Sequence, residues 1–185
     1  MKLIRKMSIL LLICILCSYV ILYVIVFFKG YPIIIYNESN YDKSKGCALM
    51  LKSMNQYDII NPISHIDFDN GNWCIYLVME SSDIRDLPPN IKKSICLVLT
   101  DQDVIRNIKQ YWRFTCTGGD MATVDSYVFF VKDGTVQFKS GIVINEFNPG
   151  LQDLNYGWIT PIDKTEFLKL LSNFKRKIFP VVIMK

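Results

Sequence analysis

Histidine is almost absent from the 185-residue chain, which contains only His65. A metal site with several histidine ligands is therefore excluded by number, and a Ser-His-Asp or Cys-His mechanism would have to use this one residue. No nucleophile motif of the G-x-S-x-G type lies near it. We therefore predict that the protein is not an enzyme and has no metal and no cofactor. An enzymatic alternative would use His65 and Asp120.

The chain also lacks a long block of charge of one sign. Three of its 21 basic residues, Lys2, Arg5 and Lys6, precede a long apolar run, which leaves 18 basic and 17 acidic residues and a net charge of +1 for the rest. Nucleic-acid binding would need a basic patch or stripe. We therefore exclude nucleic acid as a partner.

Charged residues are missing altogether from Met7 to Phe28, a run of 22 residues. As a helix this run is roughly 33 Å long, enough for a hydrocarbon core of about 30 Å. A signal peptide has a shorter apolar region of about 7–15 residues and a small-residue cleavage site. Neither Cys14 nor Cys17 follows the small residue that lipidation requires. The sequence therefore predicts a permanent transmembrane anchor.

The distribution of charge predicts the orientation of this anchor. Three basic residues precede the run and only Lys29 closely follows it, so the positive-inside rule keeps the N-terminus in the cytoplasm. We predict a single-pass protein of the bacterial inner membrane with a cytoplasmic N-terminus (1–6), an anchor (7–28), a linker (29–43) and a periplasmic domain (44–185). Cys14 and Ser18, four residues apart, give a weak small-residue face for helix pairing.

Four cysteines follow the anchor, namely Cys47, Cys74, Cys96 and Cys116. An even number of cysteines in an oxidising compartment usually means disulfides, and four cysteines allow three pairings. None of the four is in C-x-x-C spacing, which argues against a redox motif or a zinc ribbon. We expect two disulfides; one disulfide or free thiols are the alternatives.

The pattern of apolar residues predicts an α+β fold, with a mainly antiparallel sheet and about three helices after the anchor. The clearest local signal is a β-hairpin with Asp133-Gly134 at its turn. Strands are also expected in the following segments: "YPIIIY" at 31–36, 63–68, 73–80, "SICLVLT" at 94–100, "WRFTC" at 112–116 and the C-terminal "IFPVVIMK". The stretch 63–68 should form a hairpin with 73–80 through the turn "DNGN".

Helices are predicted at three places. One covers 44–56, one begins at a capping box of Thr100 and Asp103 and runs to about Tyr111, and one is capped by Thr160 with Pro161 at its first position. The apolar face of the last helix consists of Phe167, Leu170, Leu171, Phe174 and Ile178. The cations of "KRK" at 175–177 would end it, where positive charge is favourable; contact with anionic lipid headgroups is the alternative.

The loop-like stretch 115–126 is the best candidate for a functional loop. Gly118 and Gly119 free its backbone for a sharp turn or an anion-binding nest, and Asp120 offers a carboxylate. Exposed aromatic residues are typical of protein interfaces. The predicted partner-binding residues are therefore Tyr111, Trp112, Gly118, Gly119, Asp120, Tyr156 and Trp158.

These observations favour a membrane-anchored binding protein without enzymatic activity. Tethering raises the effective concentration of such a protein near the bilayer, which would suit an immunity protein that neutralises a toxin acting in the periplasm. The alternative is an accessory subunit of a membrane complex, or of a single-pass transcriptional regulator, with the anchor helix in the interface.

Overall fold

The computed structural model describes residues 2–29, 32–36, 58–116, 124–153, 156–179 and 181–185. Its first element is the helix α1 (Lys2–Lys29). Within α1, the 23 residues Lys6–Phe28 are long and apolar enough to cross a membrane, and only 6% of the most apolar window is buried. The predicted helix over 44–56 lies outside the described residues.

In the described part, strands and short helices follow α1. The strands, in chain order, are β1 (Ile33–Tyr36), β2 (Ile59–Ile60), β3 (Trp73–Val78), β4 (Cys96–Leu99), β5 (Phe114–Cys116), β6 (Tyr127–Lys132), β7 (Thr135–Val143), β8 (Gly150–Asp153), β9 (Gly157–Pro161), β10 (Lys175–Arg176) and β11 (Val181–Met184). The helices are a 3₁₀ helix (Asp83–Asp86), α2 (Gln102–Arg106), α3 (Ile108–Tyr111) and α4 (Lys164–Leu171).

Nine strands form one sheet in the order β10-β4-β3-β6-β7-β8-β9-β5-β2, and every neighbouring pair is antiparallel. The remaining two strands, β1 and β11, pair with each other in parallel. The fold is therefore α+β with a mostly antiparallel sheet, as predicted. Four short helices rather than about three follow α1 in the described residues, because the predicted helix 100–111 is divided at Asn107 and the 3₁₀ helix was not predicted.

Both faces of the large sheet are covered. One face carries the main core, in which Trp112 contacts the rings of Phe114, Phe130 and Phe167 with centroids 5.4–5.6 Å apart. On the other face, the small β1–β11 sheet packs on Phe129 and on its buried neighbours. Alternate residues of the central strands therefore enter different cores, so these strands read as continuous apolar runs.

The β6–β7 hairpin forms as predicted. Asp133 has φ 49° and Gly134 has φ 81°, the two left-handed residues that a tight hairpin turn requires. The carboxylate of Asp133 also accepts hydrogen bonds from the backbone and the side chain of Asn72. The strands predicted over 31–36, 94–100 and 112–116 are present as β1, β4 and β5. β1 lies within the segment 29–43 that was assigned to the linker.

The predicted strand at 63–68 is wrong. This segment forms turns, in which the Asn61 side chain accepts from the Ile63 N–H (3.1 Å) and the Ile66 N–H donates to the Ile63 carbonyl (3.1 Å). Ile63, Ile66 and Phe68 are buried in the main core, which explains their apolar spacing. β3 pairs instead with β4 and β6.

Both predicted helix caps are wrong by one to three residues. The side chain of Asp101, not Thr100, accepts from the first N–H groups of α2, and Asp163 rather than Thr160 caps α4. Thr160 and Pro161 belong to β9, where they pair with β5. Aspartate and threonine are both good caps, so the end of the strand decides between them.

The C-terminal segment differs from the prediction in two ways. α4 ends at Leu171, so Ile178 is not on its apolar face and is 43% exposed, whereas Phe167, Leu170, Leu171 and Phe174 are buried as expected. The cations at 175–177 follow four residues later, in and after β10, and therefore do not cap the helix. The predicted terminal strand is β11, but it pairs with β1 rather than with the large sheet.

Candidate functional site

The most exposed large apolar side chain of the described residues is Phe147, of which 85% is accessible. It lies between β7 and β8, on a turn whose backbone is held on both sides. The Asn145 side chain accepts from the N–H groups of Phe147 (3.0 Å) and Asn148 (2.6 Å), and Lys164 Nζ donates to the Phe147 carbonyl (2.6 Å). The aromatic ring is therefore presented to solvent from a backbone that is already ordered.

An open cavity of about 450 Å³ lies beside this ring. Leu87 and Pro88 are buried at its base, and the exposed residues Asp86 and Glu146 add two carboxyl groups to its lining. We call Asp86, Leu87, Pro88, Asn145, Glu146 and Phe147 the Phe147 surface. It combines an apolar centre with acidic groups at the edge, which suits a protein partner that has an apolar pocket next to a basic group.

A second concave region, of about 370 Å³, lies between α2 and α3 on one side and α4 on the other. Its acidic side chains are already engaged: Asp101 caps α2, Asp103 pairs with Arg106 at 3.1 Å, and Glu166 pairs with Lys169 at 3.2 Å. Tyr111 lines this groove and is 36% exposed. The groove offers a polar surface, but its carboxylates stabilise their own helices and are not assembled for catalysis.

The structure separates the residues that were predicted to bind a partner. Tyr111 is accessible and Tyr156 is half-buried, whereas Trp112 (0% exposed) and Trp158 (4% exposed) belong to the interior. A Cβ on Gly150 would lie 2.5 Å from the Trp158 ring, so this ring fills the space above the glycine. Trp112 and Trp158 are therefore wrong as surface residues. Gly118, Gly119 and Asp120 lie outside the described residues.

The residue that ends the predicted functional loop, Ser126, has a structural role. Its hydroxyl is buried, accepts from the Glu80 N–H (2.9 Å) and donates to the Asp83 carboxylate (2.5 Å). These bonds connect the 3₁₀ helix to the sheet. The serine has no histidine partner here, since His65 is exposed on the turn at 62–65.

The described cysteines Cys74, Cys96 and Cys116 are free thiols. The β3–β4 ladder pairs Val78 with Cys96, so Cys74 lies four residues further along, roughly 13 Å away, beyond the limit of about 7 Å between bonded Cα positions. Cys116 is five strands from β3. If two disulfides formed among the four candidates, Cys47 would take part in only one of them. The other would then have to join two of the three described residues, which are too far apart. The expected pair of disulfides does not form in this fold.

The thiols of Cys74 and Cys96 are poor nucleophiles. Burial raises the pKa of the Cys96 thiol to about 12 and also raises the pKa of Cys74, and Lys177 only partly offsets these shifts. Burial likewise raises the pKa of the neighbouring Tyr76 hydroxyl to about 12. All three groups therefore stay protonated near neutral pH, and reactivity requires the thiolate.

The described residues contain no group of three or more His, Cys, Asp or Glu side chains placed to hold a metal ion. Asp67, at the start of "DFDNGN", uses its carboxylate within its own turn, where it accepts from the Asp69 N–H (3.0 Å) and from Asn70 Nδ2 (2.8 Å). These bonds lower the pKa of the Asp67 carboxyl and shape the chain before β3.

No known protein family matches the chain, and comparisons with curated proteins and with solved structures find no similar chain. The features of the described residues that bear on function are the Phe147 surface, α1 and the contact between α1 and the folded domain. The Phe147 surface was not predicted from the sequence. The signal that could have indicated it is a single aromatic residue within the polar, turn-forming stretch "NEFNPG".

Proposed function

We propose that the chain is a non-enzymatic binding protein anchored in the bacterial inner membrane by α1, with its sheet domain in the periplasm. The length and apolar character of Lys6–Phe28 support the anchor. The three basic residues before the uncharged run 7–28, against Lys29 alone close behind it, support the orientation. Cys96 and Cys116 are buried, which would protect their thiols from oxidants in that compartment.

The observation that carries the binding function is Phe147. The Phe147 ring is 85% exposed, and its backbone is already held by hydrogen bonds. Because the turn does not have to be ordered when a partner covers the ring, binding avoids the cost of ordering the backbone. The partner that we propose is a toxin acting in the periplasm, which makes the chain an immunity protein. Such a protein needs one complementary surface and residence where the toxin acts.

The topology is tested first, with reporters fused after Lys185. Alkaline phosphatase at this position should be active, and a fluorescent protein that matures only in the cytoplasm should stay dark. The full-length chain should remain in the membrane fraction after alkaline carbonate washing. A fluorescent C-terminal fusion, or release of a protein that has lost α1, would contradict the proposed topology.

Binding is tested by protection. The product of the gene adjacent to the one that encodes this chain is directed to the periplasm of a host cell, and survival is compared with and without the chain. Phe147→Ser should remove protection while the amount of protein stays unchanged. Ile59→Ser is the matched control, since Ile59 is also exposed (59%) but lies in β2 at the far edge of the sheet. Equal protection by both variants would remove the Phe147 surface from the proposal.

The same assay separates this function from that of an accessory subunit of a membrane complex. A subunit of that kind would use the face of α1 that contains Cys14 and Ser18, but the Ser18 hydroxyl donates to the Cys14 carbonyl at 2.9 Å within the helix itself. Replacing residues 7–21 by an unrelated apolar sequence of the same length, which keeps the half-buried Leu22 and the buried Val26, should therefore leave protection intact. Loss of protection with normal export would favour the accessory subunit.

A further inference from the structure

Five successive residues, Lys175 to Phe179, form a basic and apolar strip next to the end of α1. The strip reads "KRKIF". Its cations are not explained by a helix C-terminus, because α4 ends at Leu171. Its apolar residues do not belong to the core either, since Ile178 is 43% and Phe179 is 51% exposed. We call these five residues the KRKIF strip.

A hydrogen bond fixes the position of the strip relative to α1. Arg176 Nη2 donates to the carbonyl of Val26 at 3.2 Å, one of the last carbonyls of the helix that have no partner in the helix itself. Val26 is fully buried and Leu22, one turn earlier, is half-buried, although most of α1 is exposed. The last turns of α1 therefore contact the folded domain directly.

This contact fixes the position of the strip relative to the hydrocarbon boundary of the proposed bilayer. At about 1.5 Å per residue, Val26 lies roughly 3 Å before Phe28, where the apolar span ends. The polar layer of a bilayer is about 5–8 Å thick on each side of the hydrocarbon. Arg176 therefore lies at the boundary between the two. Ile178 and Phe179 follow within three residues and are at most roughly 10 Å from it.

We propose that the KRKIF strip contacts the bilayer surface, with Ile178 and Phe179 at the acyl boundary and Lys175 facing anionic headgroups. This inference rests on the proposed membrane anchor. The bilayer is the occupant because α1 holds it against the strip, and because the exposed Lys175 carries a positive charge that complements anionic lipids. Arg176 bonds to Val26, and Lys177 Nζ lies 5.8 Å from the centre of the Tyr76 ring. The contact would fix the orientation of the domain on the membrane as well as its distance from it.

The test uses the full chain in lipid nanodiscs and the photo-crosslinking residue benzoylphenylalanine. It replaces Phe179 in the strip, Tyr19 within α1, or Phe147 on the remote turn, one position at a time. In nanodiscs of phosphatidylcholine with phosphatidylglycerol, irradiation should give lipid adducts at positions 19 and 179 but not at 147. Adducts at 19 without adducts at 179 would overturn the inference and leave the anchor intact. No adduct at 19 would overturn the anchor and the inference together.

The role of Lys175 is tested in the same nanodiscs. Removing one lysine should lower the population with the strip in contact by about five-fold, as expected for one cation at an anionic surface. Lys175→Gln should therefore reduce the adduct at position 179, and Lys175→Glu, which reverses the charge, should reduce it further. Arg113→Gln, next to β5 at the other side of the sheet, is the control and should change nothing. Equal adducts in pure phosphatidylcholine, unaffected by the substitutions of Lys175, would overturn the assignment of Lys175 to anionic headgroups.

Discussion

The register of β3 and β4 predicts that a thiol introduced at Val78 will form a disulfide with Cys96, although the native Cys74 does not. Val78 and Cys96 are directly opposite each other. The adjacent pair is joined by the Met79 N–H, which donates to the Ile95 carbonyl at 2.7 Å, so Val78 and Cys96 occupy a non-hydrogen-bonded position of the ladder. The Cα separation there is about 4.5 Å, within the range that a disulfide needs.

The expected stabilisation follows from the loop that the bond closes. The new thiol of Val78→Cys and Cys96 would enclose a loop of 19 residues, for which the chain-entropy model gives about 3 kcal/mol. The midpoint of urea unfolding of the oxidised variant should therefore rise, and adding reductant should reverse the increase. The wild-type chain should respond little to the same oxidant, because Cys74 is too far along β3 to react with Cys96.

The assay counts free thiols. The unfolded protein is refolded in detergent in a thiol–disulfide redox buffer, so that the bond can form before Cys96 is buried. It is then denatured and treated with a maleimide polymer that adds a fixed mass to each thiol, and the linked peptides are identified by mass spectrometry. Val78→Cys combined with Cys96→Ser is the control that should show no bond at position 78. A native bond between Cys74 and Cys96, or no bond between Cys96 and the thiol introduced by Val78→Cys, would refute the register and with it the arrangement of the central sheet.

Three further predictions concern stability. Trp112→Ala should lower the free energy of unfolding by about 3–5 kcal/mol because it empties the centre of the main core. Tyr111→Ala, at the exposed groove, should lower it by less than about 1 kcal/mol. Urea denaturation of both variants tests this difference, and equal losses would contradict the assignment of Trp112 to the core. Gly150→Ala should cost about 1–3 kcal/mol, measured in the same way, because its Cβ would meet the Trp158 ring at 2.5 Å and the Ile159 carbonyl at 2.6 Å. Stability should fall as the pH rises above about 9, because Cys96 and Tyr76, with pKa values of about 12, keep protons that the unfolded chain releases. Each of these two groups can lower the free energy of unfolding by at most about 1.4 kcal/mol per pH unit. In Cys96→Ala the free energy of unfolding should therefore decline less steeply between pH 9 and pH 11. An unchanged slope would argue against burial of this thiol.

Local signals in the sequence predicted the elements that depend on neighbouring residues. The β6–β7 hairpin follows from Asp133-Gly134, which stabilises one turn geometry wherever the pair occurs between two apolar strands. The buried face of α4 follows in the same way from helical spacing. Strand β4 was predicted because four successive apolar residues, all buried in the structure, are typical of a strand covered on both faces.

Pairings between distant parts of the chain were not predictable from local pattern. The β1–β11 pair joins residues that are almost 150 positions apart, and neither segment contains a signal that specifies the other. Ile66 and Phe68 have the two-residue spacing of a strand, but burial of a turn gives the same spacing. The apolar pattern records which side chains are buried and does not distinguish between these two ways of burying them.

Trp112 and Trp158 were predicted to lie at the surface for a related reason. Aromatic residues are enriched both in interfaces and in cores, so composition alone could not separate Trp112, at the centre of an aromatic cluster, from Phe147, which is held in solvent by Asn145 and Lys164. The second assignment requires the structure, because Lys164 reaches the turn from α4. Exposure is thus a tertiary property, even where the turn itself is local.

The way in which the chain enters and leaves the domain bears directly on the proposed function. Only three residues separate the end of α1 from β1, and β1 pairs with β11 at the other end of the chain. The last residue, Lys185, exchanges hydrogen bonds with the β6–β7 hairpin through Gly134 and Val136, both at 2.7 Å. The helix α1 is therefore followed closely by the small β1–β11 sheet, and not by the linker of about 15 residues that the sequence predicts. In the proposed function, a partner on the Phe147 surface would then be held at a fixed height above the bilayer, and the position of the membrane would limit which partners can reach the surface.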